Sequence, residues 1–189
     1  MDHFPRRSYE RAFQLLSEND YPAIGTHGEN FNGRIYGLGG MSKTNFDRCH
    51  DPSGERNPAR RFIERAQQIA ELGGYPAEGF GFDLNGFAGA PRPRFGDNAR
   101  CDEPQENPVE YPFSSVAGDA EFTQPQLGER TLDFNTEGFV HIGLLPELIQ
   151  DARLGGASEA DLEPLFRSAE GYIRMWEKAE ARGAVISQE

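Results

Sequence analysis

Apolar residues recur at helical spacing in five stretches of the chain. The clearest stretch opens at Asn57-Pro58, a favoured N-cap and first helical residue, and stops at Gly73-Gly74. Another opens with a capping pattern, Ser158 to Asp161. The pattern predicts helices over residues 8–16, 58–73, 146–154, 158–166 and 168–182. In the last helix, the apolar stripe that contains Trp176 is expected to pack in the core.

Three shorter apolar runs predict buried strands, over residues 21–28, 34–38 and 79–84. The third run carries Asp83 near its end and breaks at Asn85-Gly86, a dipeptide that favours tight turning. The first 85 residues therefore read helix, strand, strand, helix, strand, a βα order whose connections suit parallel pairing. The sequence predicts an α/β fold.

The segment 86–140 has a different composition. Six of the 13 prolines fall between Pro91 and Pro125, and only short stretches resemble strands. A long segment of this kind is typical of a lid or a binding loop, and its aromatic residues favour an ordered loop. We therefore predict one domain over 1–189, with a βα part (1–85), a long loop insertion (86–140) and C-terminal helices (141–189).

Charge and hydropathy exclude several classes of function. A formal charge of -12 argues against nucleic acid and anionic membrane surfaces as partners. No apolar run approaches the roughly 20 residues of a membrane span, and Met1 to Arg7 lead into a polar helix pattern instead of a signal-peptide core. We expect a soluble chain of undecided compartment. Cys49 and Cys101 could pair or remain free thiols.

Candidate chemistry centres on strand tips. Asp83 lies near the end of the third apolar run, where parallel α/β sheets assemble catalytic groups, although it could simply begin an Asx-turn. His27 lies near the end of the first run between small residues, and His3 precedes the first helix. Two histidines and a carboxylate would suit zinc or a similar cation, with Asp83 accepting a proton from an activated water. Taken alone, a histidine is more often a surface or hydrogen-bonded structural residue than a metal ligand.

The remaining charged residues suggest weaker candidates. His50 lies in a polar loop and is expected to face solvent, whereas His141 is expected in the core or at the start of a helix. Arg34, together with Arg94 beyond Asp83, is well placed to meet a substrate carboxylate, or is an ordinary surface residue. No serine-hydrolase elbow, P-loop or dinucleotide fingerprint occurs.

Four motifs together resemble the membrane (renal) dipeptidase family of the amidohydrolase superfamily, which includes secreted bacterial relatives. They are Asp2-His3, Tyr21-Pro22-Ala23-Ile24-Gly25-Thr26-His27, Gly79-Phe80-Gly81-Phe82-Asp83-Leu84-Asn85-Gly86 and Ala169-Glu170-Gly171-Tyr172-Ile173-Arg174-Met175-Trp176-Glu177. The resemblance implies a partial (β/α)8 TIM-type barrel, comprising strands five to eight, a long insertion after the last strand and C-terminal helices. It also implies cleavage of a dipeptide or related amide with one or two zinc ions.

The resemblance assigns individual roles. It implies that His3 and His27 are metal ligands on the fifth and sixth strands, and that Asp83 on the eighth strand handles the proton of the catalytic water and the substrate amine. Arg34 matches the arginine that grips the substrate carboxylate, with Asn85 and Arg94 as further substrate contacts. The family's first-strand His-x-Asp pair and its bridging glutamate have no counterpart in this sequence.

Two hypotheses follow. In the first, the chain is the C-terminal half of a dipeptidase-type hydrolase, incomplete alone and completed by an upstream region or a second chain. In the second, it is a non-catalytic remnant that serves as a binding or structural module. Because a half barrel exposes two sheet edges, a homodimer is a further expectation.

Overall fold

The computed structural model describes residues 6–25, 33–44, 49–50, 58–80 and 91–187. Its helices are α1 (Arg6–Glu18), α2 (Gly33–Gly37), α3 (Pro58–Glu71), α4 (Phe134–Glu137), α5 (Leu145–Leu154), α6 (Glu159–Phe166) and α7 (Ser168–Ile186). Its strands are β1 (Ile24–Gly25), β2 (Met41–Thr44), β3 (Gly79–Phe80), β4 (Phe113–Ser114), β5 (Glu121–Phe122), β6 (Gln126–Leu127) and β7 (Arg130–Thr131). A 3-10 helix, Ile142–Leu144, precedes α5.

The chain divides into two compact units. The first unit comprises Met1–Asn45, Glu64–Gly81 and Leu162–Glu189, and the second comprises Phe46–Ile63 and Phe82–Asp161. These units divide the chain at other positions than the parts expected from the sequence, 1–85, 86–140 and 141–189.

The first unit is built around a three-stranded parallel sheet in the order β1-β2-β3. The strands pair in the register Ile24 with Met41, Gly25 with Ser42, Lys43 with Gly79 and Thr44 with Phe80. Along the chain, α2 lies between β1 and β2, and α3 lies between β2 and β3. Parallel neighbours need such crossover connections. The sequence predicts the helix of the second crossover, α3, but not α2, the helix of the first.

The predicted strand over 34–38 is wrong, because these residues form helix α2. Short apolar runs do not distinguish a strand from a buried helix turn. In the helical form, Ile35 joins Phe13 and Ala23 in a buried apolar cluster. The strand follows instead at β2, after Gly39 takes a positive φ of 72° and ends the helix.

Close packing at Gly40 explains why β2 begins where it does. The amide nitrogen of Met41 donates to the carbonyl of Ala23 at 3.2 Å, which ties the start of β2 to the residue before β1. A Cβ at Gly40 would lie 1.8 Å from that same carbonyl oxygen. Only glycine allows the two backbones to approach this closely.

Helix α7 buries a different face from the predicted one. Its buried residues are Gly171 and Met175, and Met175 packs with Met41 and Ala77 in a second apolar cluster. Trp176, expected in the core, is 53% exposed, so that prediction is wrong. Helical spacing alone cannot say which of two apolar stripes faces the core.

The second unit contains two short antiparallel ladders, β4 with β5 and β6 with β7. Gly128, at a positive φ of 63°, lies in the turn between β6 and β7. A disulfide joins Cys49 to Cys101, which settles the pairing that the sequence leaves open. The described part of the loop insertion is therefore ordered by short ladders and a covalent tie.

Helix α5 supplies much of the core of the second unit. Its buried apolar residues are Leu148 and Ala152, and Leu144 precedes it. The predicted helix over 146–154 is confirmed with nearly the same bounds. The capping pattern at α6 is also confirmed, since the Ser158 amide donates to Asp161 Oδ2 at 2.9 Å and the Asp161 amide donates to Ser158 Oγ at 3.3 Å.

None of the helices in the described ranges has both the length and the apolar character needed to cross a bilayer. The described strands form three small sheets and no closed barrel.

Candidate functional site

The carboxyl edge of the parallel sheet is the first candidate site. Strands β1 and β3 run parallel to β2 on its two sides, so all three end at the same edge. In sequence, His27 comes two residues after the end of β1 and Asp83 three residues after the end of β3. Both residues, like His3 and Asn85, lie outside the described ranges.

Buried polar contacts hold β1 and β2 in register near this edge. Ser42, only 3% exposed, donates from Oγ to the carbonyl of Gly25 at 3.3 Å. The amide of Ser42 donates to the hydroxyl of Tyr36, also at 3.3 Å. These bonds connect α2, β1 and β2 to one another near this edge of the sheet.

A buried carboxylate lies at the opposite end of β3. Glu78 immediately precedes β3 and is completely buried, and neither carboxylate oxygen has a hydrogen-bond partner among the described residues. Burial raises the pKa of Glu78 to about 8, and nearby Arg65 offsets only part of that effect. Arg65 is itself buried and donates to the carbonyl of Lys43 at 3.4 Å.

Arg34, expected to bind a substrate carboxylate, lies on α2 with its side chain 48% exposed. Its guanidinium contacts Glu10 at 3.1 Å and lies 4.4 Å from the centroid of the Phe13 ring. The structure therefore places this cation beside α1, paired with an acid of the first unit.

Arg94, the second arginine expected at a substrate, is buried in the second unit. Its Nε and Nη2 donate to Asp151 Oδ1 at 3.0 and 2.6 Å. The same guanidinium donates to the carbonyls of Glu106 and Asn107, each at 2.9 Å, and to Gln105 Oε1 at 3.5 Å. A substrate role would require Arg94 to give up one of these bonds, because every N–H of the fork has a partner.

The expectation that His50 faces solvent is wrong. Its side chain is 15% exposed, and its Nε2 lies 3.8 Å from Asp151 Oδ2. That nitrogen is buried and has no hydrogen-bond partner among the residues that the structure describes. The sequence does not predict this burial because it depends on a covalent bond to a distant residue: the disulfide from Cys49 to Cys101 ties the neighbour of His50 to another part of the second unit. His141 begins the 3-10 helix and accepts from the Gly143 amide at 2.9 Å, as expected of a histidine at a helix start.

A second buried carboxylate of α5 lies one turn from Asp151. Glu147 is 1% exposed and accepts from the Tyr111 hydroxyl at 3.2 Å, whereas its Oε2 has no partner within the described ranges. Burial raises the pKa of Glu147, and the bond from Tyr111 opposes that effect in part. Helix α5 therefore presents two acids, four residues apart, to the interior of the second unit.

In the described ranges, no three His, Cys, Asp or Glu side chains come close enough together to hold a metal ion. The expected ligands His3 and His27 fall outside those ranges, so their fit to zinc is not tested by this geometry. The zinc site stays a prediction.

Three carboxylates are buried in the part of the chain that the structure describes, and the sequence predicts none of them: Glu78, Glu147 and Asp151. Only Glu147 and Asp151 leave a trace in the sequence, because their four-residue spacing puts them on the face of α5 that also carries Leu148 and Ala152. Acids on a helix face the solvent in most proteins, and that default hides such a pair. Nothing in the local sequence around Glu78 distinguishes it from an exposed acid.

Comparison of the chain with protein-family models, with curated proteins and with solved structures gives no match.

Proposed function

We propose that this chain is the C-terminal half of a metal-dependent hydrolase of the dipeptidase type, which cleaves a dipeptide or related amide. The supporting observation is the parallel order β1-β2-β3 in the first unit, with helices in both crossovers. In such units, residues that follow the strands gather at one edge and carry the chemistry. The first and third strands lead to His27 and Asp83, two of the residues to which the family motifs assign roles.

The spacing of the strands suits a shared site. Neighbouring strands lie about 4.8 Å apart, so β1 and β3 on either side of β2 are separated by roughly 10 Å. Side chains that reach inward from two such strands can approach one small ion between them. In sequence, His27 and Asp83 come two and three residues after the ends of these strands.

Each residue then has a role. His3 and His27 would bind the metal as neutral imidazoles, and zinc, when bound, would supply an activated water for attack on the amide. Asp83 would accept the proton of that water and hold the substrate amine. Arg34 would bind the substrate carboxylate, with Asn85 and Arg94 as further contacts. The remaining ligands would come from an upstream region or a second chain.

Hydrolysis tests the proposal. Dipeptide cleavage is measured with zinc added, for the chain alone and for the chain with any upstream coding region that contains a His-x-Asp pair. We expect turnover only in the completed protein, abolished in a variant that carries both His27→Ala and Asp83→Ala. Turnover undiminished in that variant would refute the proposal. Absence of turnover and of bound metal in every form would favour the non-catalytic binding or structural module.

A further inference from the structure

Two distant parts of the second unit are joined at one place. The Cys49–Cys101 disulfide spans 52 residues of sequence with a Cα–Cα distance of 5.6 Å. Beside it, the Gln105 side chain accepts from the His50 amide at 2.7 Å and donates to the His50 carbonyl at 2.9 Å. We call these four residues, Cys49, His50, Cys101 and Gln105, the latch.

The latch holds an imidazole in an unfavourable position. His50 Nε2 is buried without a hydrogen-bond partner among the described residues, and its distance of 3.8 Å from Asp151 Oδ2 is too long for a hydrogen bond. Burying a polar atom without a hydrogen-bond partner costs free energy, and a hydrogen bond to water removes that cost. His50 therefore gains hydration if it leaves, and the adjacent covalent bond keeps it in place.

Asp151 does not depend on His50. Its Oδ1 accepts two bonds from Arg94, and Arg94 also binds the backbone carbonyls of Glu106 and Asn107. This buried pair connects α5 to the segment that carries Gln105. The second unit thus retains its own polar tie when the latch opens.

The noncovalent part of the latch is weak by comparison. Gln105 and His50 are only partly buried, so water competes for both amide bonds once the chain is free to separate. Two such bonds must hold together segments that are distant in sequence, and that ordering is entropically costly without a covalent link.

We propose that the latch is a redox-sensitive device, in which reduction of the Cys49–Cys101 disulfide by a dithiol releases His50 from Asp151 and leaves the Arg94–Asp151 pair intact. A thiolate of the dithiol attacks one sulfur, the protein S–S bond breaks, and a mixed disulfide forms. The second thiol of the reagent displaces the protein sulfur. Two protein thiols and one cyclic disulfide result, which balances two electrons and two protons. This inference does not rest on the proposed hydrolase function.

The test measures the reactivity of His50 towards diethyl pyrocarbonate in the full chain, by mass spectrometry of its peptides. In the oxidised protein we expect His50 to react at least about tenfold more slowly than the partly exposed His141, because opening must precede reaction. After treatment with dithiothreitol, His50 should react at a rate near that of His141. Reoxidation should restore protection.

Two variants separate the latch from simple unfolding. Cys101→Ser should behave as the reduced protein, with His141 reactivity and far-UV circular dichroism unchanged. Gln105→Ala should leave His50 protected while the disulfide is intact. The proposal is overturned if His50 reactivity does not change when both thiols are shown to be free, if Gln105→Ala alone exposes His50, or if reduction also exposes His141 and abolishes the circular dichroism of the helices.

Discussion

The two units bury carboxylates in opposite ways. In the first unit, Glu78 is completely buried, and neither oxygen accepts a hydrogen bond within the described ranges. In the second unit, Asp151 is nearly as buried but accepts two bonds from Arg94. Glu147 lies between these extremes, with one oxygen bound by Tyr111 and the other without a described partner.

This difference shows what burial alone does not determine. Asp151 is held by its partner, because Oδ1 accepts from both Nε and Nη2 of Arg94, so the pair is vulnerable to loss of either member. A buried carboxylate without hydrogen bonds binds a proton instead, and its effect on stability follows the pH. Removing the arginine tests the first behaviour, and varying the pH tests the second.

The largest effect is expected from Arg94→Met. This change leaves Asp151 buried without its cation and removes the donors to the carbonyls of Glu106 and Asn107. The free energy of unfolding of the second unit should fall by about 3–5 kcal/mol. Denaturant unfolding followed by circular dichroism provides the measurement.

A double variant checks the cause of that loss. Arg94→Met combined with Asp151→Leu removes the stranded charge, so it should be more stable than Arg94→Met alone. If the two variants have the same stability, the buried charge of Asp151 is not the source of the loss.

Glu78→Gln should change the pH dependence of the first unit. The folded pKa of about 8 lies above the ordinary value of 4.5, so the folded state binds the proton more tightly than the unfolded state. The unfolding free energy of the parent should therefore fall as pH rises from 4.5 to 8 and then level off. Between pH 5 and pH 8 the parent should lose about 3 kcal/mol that the variant retains.

The exposed Glu180 of α7 gives the matched control, since Glu180→Gln should follow the parent at every pH. A parallel decline of Glu78→Gln and the parent over the same pH range would contradict a proton on Glu78.

A smaller effect is expected from Tyr111→Phe. The change removes the hydroxyl that donates to Glu147 Oε1 at 3.2 Å, a bond that lowers the pKa of that carboxyl group. Stability at pH 7 should fall by about 1–2 kcal/mol, and the pKa of Glu147 should rise further. Unfolding curves at pH 5 and pH 7 measure both consequences, since the loss should be smaller at pH 5. An equal loss at the two pH values would assign the effect to packing.

The smallest effect on stability is expected from Arg34→Ala. Its ion pair with Glu10 is exposed, so the cost should stay below about 1 kcal/mol. If Arg34 binds the substrate carboxylate, hydrolysis by the completed enzyme should nevertheless fall by about tenfold or more, since hydrogen bonds between charged groups contribute roughly 1.5–3 kcal/mol. Glu10→Ala breaks the same ion pair but keeps the cation, and it should not reduce hydrolysis. If Arg34→Ala and Glu10→Ala hydrolyse the dipeptide at the same rate, Arg34 does not bind the substrate carboxylate.

Local signals in the sequence predicted the elements that such signals control. The Ser158 to Asp161 pattern of α6 is a cap, and caps depend on residues only a few positions apart. The start of α3 at Pro58 also follows from a local signal, a proline at the first helical position. Helix α2 was not predicted, because a five-residue apolar run fits a strand equally well.

Burial depends on partners that are distant in sequence, and there the sequence reading failed. Trp176 belongs to an apolar stripe of α7, but the helix packs through Met175 instead. His50 lies in a polar loop next to Cys49, which is bonded to Cys101. In the folded chain His50 lies near Asp151, which is 101 residues away in sequence. The predicted ligands His3, His27 and Asp83 rest on motifs alone, because they lie outside the described residues.

The most direct test of the proposed function is the zinc content of the purified chain after dialysis, for the parent and His27→Ala, with His141→Gln as the histidine control. The account predicts about one zinc per chain in the parent and the control, and none in His27→Ala. Equal zinc in all three proteins would contradict the assignment of His27 as a ligand. Zinc absent from all three would contradict a metal site formed by this chain.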